Sequence, residues 1–308
     1  MITQCPIIPS TSFTYTFETS EPGTFFWHSH SGVQRADGLA GPLIVRDRSD
    51  PHADLFDVDD LTPLFLNDWW PEETAVNRFS THHYGDAENK PMQILVNGVW
   101  HKHGTEMPKY STNASLPNFP VPVPAFEYNL NASLRYRFRA ISNVFMLCPI
   151  SISIEGHNLV VIAADGQPIT PQSTRELIVN PGERFDFIPY RPPNEYTSPT
   201  GQYWLNAVGL LDCVKYGARG TAKIIYSNGT SPEPKTAREA TNNQSFSIAN
   251  HLNSVNAPTL WDNVGKEEPN NITAVQLESV HVNPKIFGEP NVKFYLEMVF
   301  LSFLLIYW

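Results

Sequence analysis

The chain is short of charge, short of basic residues and nearly without cysteine. Its 308 residues carry 21 Lys+Arg against 31 Asp+Glu, a net charge of −10, and charged residues make up only 17%. So few basic groups argue against nucleic acid as a partner, because phosphate binding calls for basic patches. No stretch of about 20 consecutive apolar residues occurs, so no transmembrane helix is expected. Three cysteines are too few for a disulfide scaffold, and their odd number leaves at least one outside any pair within the chain. Long helical periodicity is also missing. The 27 prolines explain that lack: at well above the usual ~5%, proline interrupts long helices.

What is present is β-sheet signal. Phe13, Tyr15 and Phe17 alternate with Thr14, Thr16 and Glu18, the period of a half-buried strand. Further strands are expected over residues 24–30, 39–45, 61–69 and 93–96. From residue 134 they recur at close spacing, over 134–140, 150–154, 159–164, 176–179, 184–190, 202–208 and 221–226. Glu155-Gly156, Asp165-Gly166 and Pro181-Gly182 mark turns between them. Many short strands with such punctuation predict an all-β sandwich or barrel. Residues 46–60 and 104–126 read as connections, and 227–270 as a long polar linker.

Chemistry is concentrated in TFFWHSHSGVQRADGLAGPLIV, residues 24–45. His28 and His30 stand at i and i+2 on an expected strand, so their imidazoles share one face roughly 6–7 Å apart. Neutral imidazole suits copper, zinc or iron, and the separation suits two neighbouring ions better than chelation of one. Taken alone, a His-x-His is weak evidence of a metal and reads more simply as a pair of half-exposed side chains on a polar face.

The surrounding residues resemble the second copper motif of the multicopper oxidases, in their laccase branch. The similarity runs on through Thr3-Gln4-Cys5-Pro6-Ile7, Leu64 to Trp70, Ile94 to Gly98, Arg135-Tyr136-Arg137-Phe138-Arg139, Ser153 to His157 and Pro181 to Asp186. It spans residues 3–226 in one order. The resemblance implies cupredoxin-like Greek-key β-sandwich domains, one partial and one complete. Residues 1–48 form the end of a first domain, 60–226 a second, 227–290 a linker and 291–308 the start of a third. It also implies a copper cofactor, with His28 and His30 each holding one ion of a type 3 pair within a trinuclear cluster. Dioxygen and phenolic, aromatic or metal-ion substrates are the implied partners, and Cys5–Cys148 is the implied disulfide, leaving Cys213 over.

The family's other copper motifs have no match here. No H-x-H-G precedes His28, and no cysteine is flanked by histidine. The chain is therefore expected to be a fragment without oxidase activity of its own. The alternatives are a non-catalytic secreted glycoprotein on the same fold and a weak copper-binding module. Sequons at Asn113, Asn131, Asn228, Asn243 and Asn271 point to an extracellular glycoprotein, although no signal peptide is visible at the start. The apolar end, FYLEMVFLSFLLIYW, reads as a domain's first strand or as an anchor. His82-His83 and His101-x-His103 are expected on solvated loops. His157 is expected to make a structural hydrogen bond, and Asp37 and Asp165 to serve turns.

Overall fold

The computed structural model describes residues 5, 7–70, 74–81, 91, 93–101, 124–145, 148–192, 195–211, 213, 217–227 and 293–299, the last stretch as backbone alone. His82, His83, His103, Asn113, Asn228, Asn243, Asn271 and the expected linker lie outside the described residues. The chain divides into two compact units, residues 1–22 with 282–308, and residues 23–281.

In the first unit, β1 (Ser12–Glu18) pairs antiparallel with β15 (Lys293–Val299), Tyr15 standing opposite Leu296. The alternation of aromatics and threonines is thus a strand, as expected, with Phe13 and Tyr15 in edge-to-face contact at 4.7 Å.

The second unit begins with a hairpin, β2 (Gly23–His28) against β3 (Ala40–Val45), registered so that His28 faces Ala40. Next come β4 (Leu64–Trp69), the short helix α1 (Ala75–Thr81), β5 (Gln93–Val96) and β6 (Phe126–Asn131). The remaining strands are β7 (Phe138–Ser142), β8 (Ile150–Ile154), β9 (Asn158–Ala164), β10 (Gln167–Thr174), β11 (Glu176–Val179), β12 (Arg184–Tyr190), β13 (Gln202–Gly209) and β14 (Arg219–Ser227). Ten of these strands run in one sheet in the order β10-β9-β12-β7-β4-β5-β14-β13-β8-β11, with β6 added alongside β14. Contacts between β8 and β9 and between β11 and β9 bring distant strands of this order together, so the sheet closes towards a barrel. Its interior is filled by the inward halves of the alternating strands, Leu64, Leu66, Ile94, Phe138, Ile152, Phe187, Tyr203 and Leu205 among them, each at 1% exposure or less.

Close packing at two glycines seats β2 on the sheet. Gly23 has φ +142° and Gly166, in the turn between β9 and β10, has φ +88°. A methyl group on Gly23 would lie 2.5 Å from the Gly166 carbonyl oxygen, and one on Gly166 would lie 2.8 Å from the Phe25 ring. Only glycine at both positions permits this approach.

The disulfide corrects the expected Cys5–Cys148 pairing. Cys148 is bonded to Cys213, with Cα atoms 6.1 Å apart, and Cys5 is exposed and free. The reason is register. β8 and β13 are antiparallel with Ile150 opposite Gly209, so residues just before β8 lie opposite residues just after β13. The Leu210 N–H donates to the Pro149 carbonyl at 2.8 Å and the Cys213 N–H to the Leu210 carbonyl at 3.1 Å, folding Cys213 back onto Cys148.

Candidate metal centre

Strand β2 carries its side chains alternately, and Thr24, Phe26 and His28 fall on one face. Each is held differently. At the inner end the Thr24 hydroxyl donates to Asp186 Oδ1 at 2.6 Å and accepts from Arg139 Nη1 at 2.7 Å. Phe26 lies in the middle, its ring 6.4 Å from that of Phe65 and 5.3 Å from the Arg35 guanidinium carbon. His28 ends the strand, half-buried, and the exposed His30 follows two residues later.

The two imidazoles are 5.8 Å apart between ring centroids and inclined at 33°. His28 Nδ1 lies 2.9 Å from the Ser29 carbonyl oxygen. A carbonyl only accepts, so Nδ1 carries the proton and Nε2 keeps its lone pair. This is how a backbone acceptor sets the tautomer of a metal-binding histidine. Ser29 faces the other way: its hydroxyl donates to Gln34 Oε1 at 2.6 Å, and its N–H to the Leu39 carbonyl at 3.0 Å. The loop from Ser31 to Gly38 is tied down in turn. Arg35 Nε donates to Asn143 Oδ1 at 2.9 Å and Nη2 to the Val144 carbonyl at 3.2 Å. Asp37 Oδ1 accepts the Ala75 N–H at 2.6 Å, so this turn residue also caps the first turn of α1.

In kind, these donors fit copper: two imidazoles close together at the end of a strand, one of them with a fixed tautomer. In number they do not close a site. Among the described residues, no group of three or more His, Cys, Asp or Glu is placed to hold a metal ion.

The other candidates fall elsewhere. The His101 ring stacks on Trp204 at 5.4 Å and 3°, and its carbonyl accepts the Thr221 N–H at 2.9 Å, so it packs on the sheet and is not simply solvated. Asp165, at φ +49°, serves the β9–β10 turn, its Oδ1 accepting the Arg184 N–H at 3.0 Å. His157 makes the structural bonds expected of it. Its Nδ1 donates to the Glu155 carbonyl at 2.7 Å, and Nε2 accepts from the Tyr226 hydroxyl at 3.1 Å. Burial raises the Tyr226 pKa, which keeps that hydroxyl a donor. Burial also pushes His157 down to about 4, the Glu155 hydrogen bond opposing it and Arg191 adding to it.

A pH dependence follows. The folded pKa of His157 lies below the unfolded value near 6.5, so the unfolded chain binds the proton more readily. The stability from neutral His157 is complete above pH 6.5 and is lost as pH falls towards 4. The loss is about 3 kcal/mol at most. Urea unfolding of His157→Gln and of the unsubstituted chain checks this. The unsubstituted chain should lose its advantage between pH 6.5 and pH 4, and a difference constant with pH would refute the assignment.

One cluster escaped the sequence reading. Arg137 Nη2 and Arg139 Nη1 both donate to Asp186 Oδ2, at 2.6 and 3.0 Å. Arg137 also pairs with Asp50, and Arg139 forks onto both oxygens of Asp59 at 2.7 and 2.8 Å. Burial alone lowers the Arg137 pKa, but Asp186 and Asp50 outweigh it and hold it above the ordinary value. The available signal was the period-two arginines of RYRFR, which share a strand face.

A multicopper oxidase family model matches residues 60–228 and a second matches residues 1–50. The chain belongs to the multicopper oxidase family, whose chemistry is copper-dependent oxidation, and it has the cupredoxin fold. Within that family it is laccase-like. It is 36% identical over 214 residues to Laccase-2 of Fomitopsis schrenkii, covering 68% of this chain and 34% of that protein. It is 31% identical over 244 residues to Laccase-2 of Pleurotus ostreatus, covering 76% and 39%. The laccase of Botrytis aclada superposes with a TM-score of 0.57 at 28% identity, covering 76% of this chain and 40% of that one. The chain thus spans between a third and two fifths of the length of these relatives. No helix among the described residues is long and apolar enough to cross a membrane.

Proposed function

We propose that this chain is part of a laccase-like multicopper oxidase and contributes His28 and His30 to a type 3 copper pair, one imidazole to each ion. The observation that carries this reading is the paired geometry: rings 5.8 Å apart at the end of β2, with His28 Nε2 left as the free donor. When bound, copper supplies one-electron chemistry, oxidising phenolic, aromatic or metal-ion substrates while dioxygen is reduced to water. The residues of this chain hold and orient two of the nitrogens that such a centre needs. Residues 1–48 represent the end of a first cupredoxin domain, 60–226 a second, 227–290 a linker and 291–308 the start of a third.

Alone, the chain binds copper weakly and turns over no substrate, because among the described residues two imidazoles leave the coordination incomplete, and no His-flanked cysteine in the sequence offers a type 1 site. The parent protein is a secreted glycoprotein. Asn131 supports this, being an exposed sequon residue whose Oδ1 accepts the Ser133 N–H at 2.9 Å.

Calorimetric titration with Cu(II), alongside oxygen uptake on a phenol, tests the reading. The chain should take up copper at a site that His28→Ala/His30→Ala removes, and neither protein should consume oxygen. Unchanged copper stoichiometry in the double variant would overturn the ligand assignment, and sustained oxygen uptake by the unsubstituted chain would overturn the inactivity.

A further inference from the structure

Phe26 and Arg35 stand next to the histidine pair without belonging to it. The Phe26 ring lies 5.2 Å from the His28 ring at a tilt of 31°. On its other sides it meets the Arg35 guanidinium at 5.3 Å and the edge of Phe65 at 6.4 Å. Arg35 does not reach these positions by chance of rotamer, because Asn143 Oδ1 and the Val144 carbonyl hold two of its nitrogens. Asn143 is itself set by its N–H bond to the Leu66 carbonyl at 2.8 Å, across to β4. A continuous line of contact therefore runs from the closed sheet through Arg35 and Phe26 to the His28 imidazole.

The Ser29 carbonyl fixes which nitrogen of His28 is protonated, but a single hydrogen bond to the adjacent residue leaves the ring free to rock about it. The Phe26 face removes that freedom. A cation over an aromatic ring is favourable by about 0.5–2 kcal/mol depending on desolvation, so Arg35 favours one ring position of Phe26, and Phe26 favours one ring position of His28.

We infer that Phe26, clamped by Arg35, is a positioning residue for His28 and sets the direction in which its Nε2 lone pair is presented to copper. The inference rests on the proposed role of His28 and His30 as copper ligands. It assigns Phe26 no contact with substrate and no part in electron transfer. Arg35 acts one step further back, through Phe26.

The test compares four variants of the full chain with the unsubstituted one: Phe26→Leu, Phe26→Tyr, Arg35→Gln and His28→Ala/His30→Ala. Two readouts are taken, Cu(II) affinity by calorimetry and the ring-nitrogen NMR signals of His28 in the copper-free protein. Phe26→Leu should weaken Cu(II) binding about tenfold, as loss of an outer partner of a metal ligand does, and Phe26→Tyr should restore it to within about twofold. The His28 tautomer, held by the Ser29 carbonyl, should persist in every variant, while the ring-nitrogen signals should broaden in Phe26→Leu as the ring rocks and stay sharp in Phe26→Tyr. Arg35→Gln keeps the Phe26 ring and should shift both readouts the same way to a lesser degree, so it decides the matter if Phe26→Leu does not fold. Copper affinity and ring signals unchanged in Phe26→Leu, or in Arg35→Gln where the first is unfolded, would overturn the inference. Copper retained in the double histidine variant would instead sink the ligand assignment beneath it.

Discussion

Asp186→Ala is expected to destabilise the fold by about 3–5 kcal/mol, the cost of removing one partner from a buried ion pair. Asp186 is 1% exposed, and Arg137 and Arg139 are 6% and 3% exposed. Its Oδ2 accepts from three arginine nitrogens and its Oδ1 from Thr24. Alanine would leave both guanidinium groups partly unpaired away from water, with only Asp50 and Asp59 to answer them. It would also release the Thr24 hydroxyl and so loosen β2. The cluster is thus both a local core and the anchor of the strand that carries His28. Urea unfolding with a far-ultraviolet readout measures the loss, and a loss below about 1 kcal/mol, the scale of an exposed ion pair, would show the cluster to be solvated. Copper affinity should fall with it, since the anchor lies four residues from His28 on the same strand face.

Cys213→Ser is expected to cost about 4 kcal/mol, from the loop-closure entropy of a bridge spanning 65 residues. The bridge ties the entry to β8 to the exit from β13. Both sulfurs lie in the core, Cys148 at 2% and Cys213 at 0% exposure. The unsubstituted chain gives a second check on the pairing. Without reductant, a thiol reagent should titrate one group in the native state, the exposed Cys5, and still only one in denaturant. A thiol appearing only on denaturation would mean that Cys213 is the unpaired residue and that the bridge runs elsewhere.

Several strands were legible to the residue. β5, β8, β11 and β12 occupy the ranges that alternation and turn residues indicate, because each is a short run with one face in the core. β10 was not legible. QPITPQST is polar and holds two prolines, yet it pairs only with β9 at the sheet edge, with a register shift between Pro168 and Gln172. An edge strand tolerates proline because its outward side needs no N–H donor. β6 was not among the expected strands either, and it lies beside β14, off the main path of the sheet. The helix α1 escaped notice because its cap, Asp37, lies 38 residues away in sequence.

The site divides in the same way. A strand over residues 24–30 would put His28 and His30 on one face, whereas β2 ends at His28 and the two rings lie 5.8 Å apart just where it stops. The all-β class and the family were determined by sequence alone, since they rest on local alternation, turn chemistry and ordered motifs. Which groups surround the pair was decided only by the tertiary structure. Arg35 reaches Phe26 because Asn143 and Val144, more than a hundred residues on, hold it there. Asp186 reaches Thr24 across 162 residues, and Cys148 finds Cys213 through the register of two neighbouring strands. Such contacts depend on sheet order and closure, and no local pattern of residues encodes which distant strand becomes a neighbour.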